Sequence, residues 1–86
     1  MSNLERVQEW MEEAGADRIR VSGVNLVSTC PFHGDQRPSF AFDFERGIYV
    51  CYSANCGETG NVYTFLTAAL GRSAQEALRS IRFFQF

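Results

Sequence analysis

Apolar residues near the start of the chain recur with the three- and four-residue spacing of an amphipathic helix. The positions of this stripe are Leu4, Val7, Met11 and Ala14. Ser2 and Glu5 form a capping-box pattern at its start, and Gly15 follows its end. The pattern predicts a helix over 3–14, with Trp10 beside the stripe as a packing residue.

The next part of the chain alternates between apolar and polar residues, as strands do. Residues 18–21 and 25–29 are two short runs of this kind, and the segment 22–24, which contains Gly23, is a turn-like break between them. We therefore predict two short strands joined by a tight turn.

A second strand pair follows, in which aromatic residues mark one face. Residues 39–44 alternate cleanly, and their three phenylalanines, Phe40, Phe42 and Phe44, share one side. A polar turn at 45–47 then leads into the apolar run 48–52. This predicts a β-hairpin that packs its phenylalanine face into the core.

The last third of the chain returns to helical spacing. Asn61 is a suitable N-cap and Gly71 ends the segment, whose apolar positions are Val62, Phe65, Leu66, Ala69 and Leu70. Ser73 and Glu76 then begin a shorter helix with apolar residues at Ala77, Leu78 and Ile81, followed by Phe83, Phe84 and Phe86. An exposed phenylalanine-rich end is unfavourable. Either this end folds back on the core or the chain is cut from something longer.

Composition identifies a small folded domain. The chain has 86 residues, of which 45% are hydrophobic and 14% aromatic, so a disordered tail is excluded. No apolar run approaches the length that spans a membrane. We expect a soluble cytoplasmic protein of the α+β class, a small antiparallel sheet flanked by helices, with no membrane partner and no small-molecule substrate.

Four residues stand out chemically: Cys30, His33, Cys51 and Cys56 are every cysteine and histidine in the chain. Structural zinc takes four sulfur or nitrogen ligands in a closed tetrahedron, and the sequence supplies that number. The spacing Cys30-Pro31-Phe32-His33 lets one tight turn direct a thiolate and an imidazole at a single ion. These residues predict one structural zinc ion.

The cysteines have three alternative roles. They can be unrelated buried thiols, since free cysteine behaves as a small hydrophobe. Cys51 and Cys56 can form a disulfide, although three cysteines are an odd number and no signal peptide precedes them. A catalytic zinc site is disfavoured because it keeps one position open for water, whereas four protein ligands fill the ion.

The order of these motifs resembles a known family. The segments CPFHGDQRPSF and CGETGNVYTFL look like the Cys-His-Cys-Cys zinc ribbon at the N-terminus of bacterial and phage DnaG-type DNA primases. The resemblance is strong over residues 25–70. It implies zinc ligation by Cys30, His33, Cys51 and Cys56, and a role in recognising the single-stranded DNA template for RNA primer synthesis.

The resemblance also implies an organisation and partners. We expect one domain over 1–86, with an N-terminal helix over 3–14, a zinc ribbon over 18–57 and C-terminal helices over 61–82. Expected partners are the primase polymerase domain and the replicative helicase of the primosome. Because a polymerising domain is missing from this sequence, the chain alone is not expected to be an enzyme. Four residues separate Cys51 from Cys56, two more than in most zinc knuckles.

Charge and aromatic residues suggest where DNA would bind. The formal net charge is −2, but five of the ten acids lie in the first 17 residues, and all eight basic residues are arginines. Arginine suits bidentate phosphate and base-edge contacts, and bases stack on aromatic rings. The candidate DNA contacts are Arg20, Arg37, Arg46, Tyr49 and Tyr52. Solvated arginines and a tyrosine that simply alternates outward are the plain alternatives.

Two other functions are compatible with the sequence. A primase-derived zinc ribbon can act as a protein-interaction or regulatory module without DNA binding, using its acidic first helix and phenylalanine-rich end. A thiol redox module would instead lose two free thiols reversibly without a metal.

Overall fold

The computed structural model describes residues 2–33, 37–53 and 56–84. Helix α1 (Asn3–Glu13) precedes four strands, β1 (Arg20–Ser22), β2 (Asn25–Ser28), β3 (Phe40–Asp43) and β4 (Ile48–Cys51). Strand β5 (Thr59–Asn61), helix α2 (Val62–Thr64), a π-helical segment (Phe65–Ala69) and helix α3 (Ala74–Ile81) follow among the described residues. The α+β class is confirmed, with an antiparallel sheet and flanking helices.

The first helix begins at the predicted cap. The Ser2 hydroxyl accepts from the Glu5 amide, and the Glu5 carboxylate accepts from the Ser2 amide, so both arms of the capping box are present. Val7 and Met11 have no exposed surface, which places the apolar stripe against the sheet. Trp10 packs in the same core and stacks on Phe84 at a ring separation of 6.3 Å.

All five strands form one antiparallel sheet in sequence order, β1-β2-β3-β4-β5. Cross-strand partners divide its residues between two faces because side chains alternate along each strand. Two cross-strand rows lie on the inner face. One consists of Leu26, Phe42 and Tyr49, and the other consists of Ser28, Phe40 and Cys51. Two further rows lie on the outer face. One consists of Arg20, Val27, Ala41, Val50 and Thr59, and the other consists of Ser22, Asn25, Asp43, Ile48 and Asn61.

An aromatic cluster forms the core on the inner face. Its members are Phe32, Phe40, Phe42, Tyr49 and Phe65, with ring centroids 5.3–6.5 Å apart. Offset and edge-to-face contacts at such distances add to the free energy gained by burying the rings. The predicted phenylalanine face of the hairpin is confirmed for Phe40 and Phe42, whereas Phe44 lies past the end of β3 and is only half-buried.

The C-terminal helices are tied to α1 by Arg72. Its guanidinium pairs with Glu13 at 3.1 Å and also donates to the Ser80 hydroxyl, while its amide donates to the Leu66 carbonyl. The aromatic end folds back in part: Phe84 is buried, but Phe83 is 62% exposed. Phe86 lies outside the described residues.

Two elements differ from the sequence-based expectation. Strand β5 was not predicted, and it extends the ribbon beyond residue 57 by pairing with β4. The single helix predicted after Asn61 is a short α-helix that continues as π-helix. Hydroxyls of Thr64 and Thr67 bond to the carbonyls of Asn61 and Tyr63, and such bonds compete with the regular helical ladder.

Within the described ranges, no helix is both long and apolar enough to cross a membrane.

Candidate metal centre

Two neighbouring loops at one end of the sheet carry the four candidate ligands. Cys30 lies two residues after β2, and His33 lies in the turn that follows. Phe32, between them, packs its ring 5.4 Å from Tyr49 and 5.9 Å from Phe65, which anchors the turn to the core. The apolar side chain between two ligands therefore fixes the orientation of this half of the site.

The second loop begins at the last residue of β4, Cys51, whose amide donates to the Glu58 carbonyl at 2.8 Å. The Ser53 carbonyl then accepts from the amides of both Cys56 and Gly57, at 3.1 Å each. Gly57 has φ +63°, a left-handed conformation that glycine adopts without steric cost. These bonds turn the chain so that Cys56 comes back toward Cys51. Residues 54–55, the middle of the longer gap, lie outside the described residues.

The four donor atoms converge on one point. Nitrogen and sulfur donors of Cys30, His33, Cys51 and Cys56 all lie within 4.8 Å of one another. The Cys30 and Cys56 Sγ atoms are 3.8 Å apart, and Cys51 Sγ is 3.9 Å from His33 Nδ1. A tetrahedral zinc ion with Zn–S bonds of about 2.3 Å needs sulfurs about 3.8 Å apart. The arrangement fits one zinc ion.

The four candidate ligands differ in how far they are exposed to solvent. Cys30 and Cys51 are buried, Cys56 is half-buried and His33 is exposed. In the metal-free chain, burial raises the pKa of the Cys30 thiol to about 12, reinforced by the nearby Cys51 and Cys56 sulfurs. Burial also acts to raise the pKa of Cys51, but hydrogen bonds from the Ser53 amide and from neighbouring side chains outweigh it and lower that pKa.

The same geometry decides between the alternative roles of the cysteines. All three cysteines are free thiols, so Cys51 and Cys56 do not form the alternative disulfide. Unrelated buried thiols would not converge with a histidine on one point. When bound, zinc would neutralise thiolate charge and cross-link the loop after β2 to the loop after β4.

The candidate DNA contacts are distributed over several places. Arg20 lies on β1, Arg46 lies in the β3–β4 turn with its side chain 80% exposed, and Arg37 is exposed before β3. Tyr52 directly follows Cys51 and is 73% exposed. These four are accessible to a ligand.

Tyr49 requires a correction. It is 3% exposed, its ring lies in the aromatic cluster, and its hydroxyl bonds to Thr64 Oγ1 at 3.2 Å. Its ring therefore has no free face for a base, and the sequence-based assignment of Tyr49 to DNA contact is not retained. Because Tyr49 points inward, its neighbours on β4, Ile48 and Val50, share the outer face with Tyr52.

Two features of the site were not predicted from the sequence. Ile48 is 48% exposed on the same face as Tyr52. The run 48–52 is apolar at every position, so the sequence carries no signal that identifies Ile48 as exposed. Ser39 Oγ lies 3.8 Å from Cys51 Sγ. The sequence carries no signal for that contact beyond the proximity of Ser39 to the hairpin.

Comparisons with known proteins agree with this geometry. The sequence model of the CHC2 zinc finger, the zinc ribbon of DnaG, matches residues 11–83. A DNA primase of Halalkalibacterium halodurans is 34% identical over 64 residues, covering 74% of this chain and 10% of that protein. DNA primases of Clostridium acetobutylicum (37% over 62 residues) and Geobacillus stearothermophilus (36% over 64 residues) cover 72% and 74% of the chain. The matched segment spans about a tenth of the length of each of these three relatives.

Proposed function

The chain belongs to the CHC2 zinc-finger family, the zinc ribbon of DnaG-type DNA primases, and on that basis we propose that it recognises single-stranded DNA templates for RNA primer synthesis. Its zinc ligands in this proposal are Cys30, His33, Cys51 and Cys56. The protein contributes template binding, while phosphoryl transfer belongs to a separate polymerising domain.

The observation that carries the proposal is the outer face of the sheet. Ile48, the first residue of β4, and Tyr52, the residue after its end, are 48% and 73% exposed on this face. Four residues of strand span about 13 Å. An open groove of about 290 Å³ lies over this surface. Its lining residues are Asn25, Ala41, Asp43, Ile48, Tyr49, Val50, Tyr52, Thr59 and Gly60.

This face is better suited to stacking with nucleobases than to purely electrostatic binding of a polyanion. Each base offers an apolar ring face, and stacking on an aromatic side chain contributes about 1–3 kcal/mol per base. Tyr52 is the accessible ring, and Val50 and Ile48 continue an apolar path away from it. Arg20 belongs to the same cross-strand row as Val50, where its guanidinium can meet a phosphate. Arg46 and Arg37 are further exposed arginines near the hairpin.

One charge on this face is already used by the fold. Asp43 is 8% exposed, and its Oδ1 accepts from the amides of Glu45 and Arg46 at 2.9 Å each. The carboxylate therefore shapes the β3–β4 turn. Because the net charge of the chain is −2, DNA affinity should come from local stacking and a few phosphate contacts.

We propose a primase polymerase domain and a replicative helicase as its protein partners, and the cytoplasm as its location. Free thiols support this location, since a reducing compartment keeps them available to a metal.

The experiment that tests the proposal is a titration of labelled single-stranded DNA with the zinc-loaded protein, followed by fluorescence anisotropy at low salt. Tyr52→Ala should weaken binding by about 5- to 150-fold, the equivalent of losing one stacked base. Tyr52→Phe keeps the ring and should bind like the parent protein. Rising salt should weaken binding by both the parent and Tyr52→Phe.

Leu78→Ala is the matched control, because it also removes an exposed apolar side chain but lies on α3. It should leave DNA affinity unchanged. Absence of binding to any single-stranded template at low salt would refute the proposal, and so would equal losses for Tyr52→Ala and Leu78→Ala.

A second candidate function is protein interaction without DNA. It is favoured by the exposed Leu78 (56%) and Phe83 (62%), together with the exposed acids of α1, Glu5, Glu9, Glu12 and Glu13. On this alternative, the Leu78→Ala variant would lose partner binding while DNA binding would be absent in every variant.

A further inference from the structure

Ser39 lies against the metal centre without being one of its four ligands. It precedes β3 by one residue and is half-buried. Its carbonyl accepts from the Tyr52 amide at 2.7 Å, and the next residue, Phe40, is the register partner of Cys51. These contacts fix the backbone of Ser39 at the end of the β3–β4 ladder, beside Cys51.

The side chain of Ser39 continues this contact. Its Oγ lies 3.8 Å from Cys51 Sγ, within reach of a hydrogen bond to sulfur. In the metal-free chain either group can be the donor. A zinc-bound cysteine is a thiolate and has no proton to donate. In the zinc form, therefore, only the Ser39 hydroxyl can donate.

We propose that Ser39 is a positioning residue of the metal centre: its hydroxyl donates a hydrogen bond to the Cys51 thiolate and slows the loss of zinc. The hydrogen bond orients the sulfur and withdraws charge from it. This inference rests on the proposed ligation by Cys51 and is independent of DNA binding.

The expected loss of zinc affinity on removing the Ser39 hydroxyl follows from other metal sites. Removing a hydrogen-bond partner of a ligand typically costs about 10- to 100-fold in metal affinity. Ser39 acts on one of four ligands and through a neutral donor, so the lower end of this range, about tenfold, is expected. With the association rate unchanged, a loss of affinity of about tenfold is a release of zinc that is about tenfold faster.

The test compares Ser39→Ala, Ser39→Thr and Ser22→Ala in the full chain. Ser39→Thr keeps a hydroxyl, and Ser22→Ala makes the same chemical change on β1, at the other end of the sheet. Zinc release to a chromophoric chelator should be about tenfold faster in Ser39→Ala and close to the parent rate in the other two. Circular dichroism of each zinc-loaded variant confirms that it is folded.

A second readout separates hydrogen bonding from packing. In cobalt-substituted protein, the sulfur-to-cobalt charge-transfer band should move to longer wavelength in Ser39→Ala, because an unbonded thiolate gives up charge more easily. Ser39→Thr should restore the band. A role in packing alone would leave the band in place.

The Cys51→Ala variant distinguishes an error in the proposed ligand set from an error in the proposed role of Ser39. If Cys51→Ala binds zinc as tightly as the parent, the proposed ligand set is wrong and this inference falls with it. If Cys51→Ala loses zinc but Ser39→Ala matches the parent in release rate and cobalt band, only the role of Ser39 is overturned.

Discussion

At the scale of single residues, the metal centre combines donors from different environments. Cys30 is buried in the same core as the aromatic cluster. His33 is exposed in the turn that follows β2. The four donors could be predicted from the sequence because they exhaust its cysteines and histidines. The orientation of Tyr49 could not, because 48–52 is apolar on both faces and alternation alone does not choose between them. The Tyr49 hydroxyl bonds to the half-buried Thr64, 15 residues further along the chain, and such a tertiary contact cannot be derived from local alternation.

Zinc binding should depend on pH through Cys30. Burial raises the pKa of this thiol from 9.0 to about 12 in the metal-free chain, so zinc must displace its proton at neutral pH. Because the folded metal-free chain holds the Cys30 proton more tightly than the unfolded chain does, the protonated thiol stabilises the fold fully below about pH 9. This contribution to the free energy of unfolding is lost as the pH rises toward 12. Zinc affinity should therefore increase as pH rises from about 6 to 8.

Chelator competition across this pH range measures the affinity, and calorimetry in buffers of different ionisation enthalpy counts the released protons. We expect at least about one proton per zinc. An affinity independent of pH, with no proton released, would contradict a buried protonated thiol at position 30.

At the scale of elements, the sheet is tied to the following helix through a close approach at Gly60. A Cβ at this position would meet the Thr64 hydroxyl oxygen and lie 2.6 Å from the Tyr49 hydroxyl. Strand β5 was missed because its sequence, Thr-Gly-Asn, has low strand propensity. It is a strand because β4 offers a ladder to pair with and because the absence of a side chain at Gly60 leaves room for the Tyr49–Thr64 pair.

Gly60→Ala should destabilise the zinc-loaded protein by about 1–3 kcal/mol through overpacking. Thr64→Ala removes the nearest clashing atom and releases the Tyr49 hydroxyl, so Gly60→Ala should cost less in that background. Urea unfolding in excess zinc measures the double-mutant cycle, and a coupling of at least about 0.5 kcal/mol is expected.

Gly71→Ala is the control for this cycle. Gly71 has φ +66° and open space around its Cα, so its substitution costs only backbone strain of about 1–2 kcal/mol. That cost should be additive with Thr64→Ala. Strict additivity of Gly60→Ala and Thr64→Ala as well would show that the close approach is not a constraint.

At the scale of the whole molecule, the metal and the fold form one equilibrium. A chain of 86 residues buries only about 60–65% of its extended surface, and its aromatic core lies on one side of a thin sheet. A structural zinc ion contributes about 10–16 kcal/mol of apparent binding free energy, comparable with the total stability of about 5–15 kcal/mol for a domain. The general architecture was predictable from hydrophobic periodicity and ligand spacing. Phe40 and Phe42 indicated which face of β3 is buried. The exposure of individual positions on β4 depends on how the helices pack, which local alternation does not encode.

Removing zinc while following tertiary structure tests the central claim most directly. The purified protein is assayed for metal, then titrated with a chelator while near-ultraviolet circular dichroism and the melting temperature are recorded. We predict one zinc per chain, loss of the aromatic signal in step with zinc removal, and its recovery when zinc is restored. A stripped protein that keeps both its aromatic signal and its melting temperature would contradict the account.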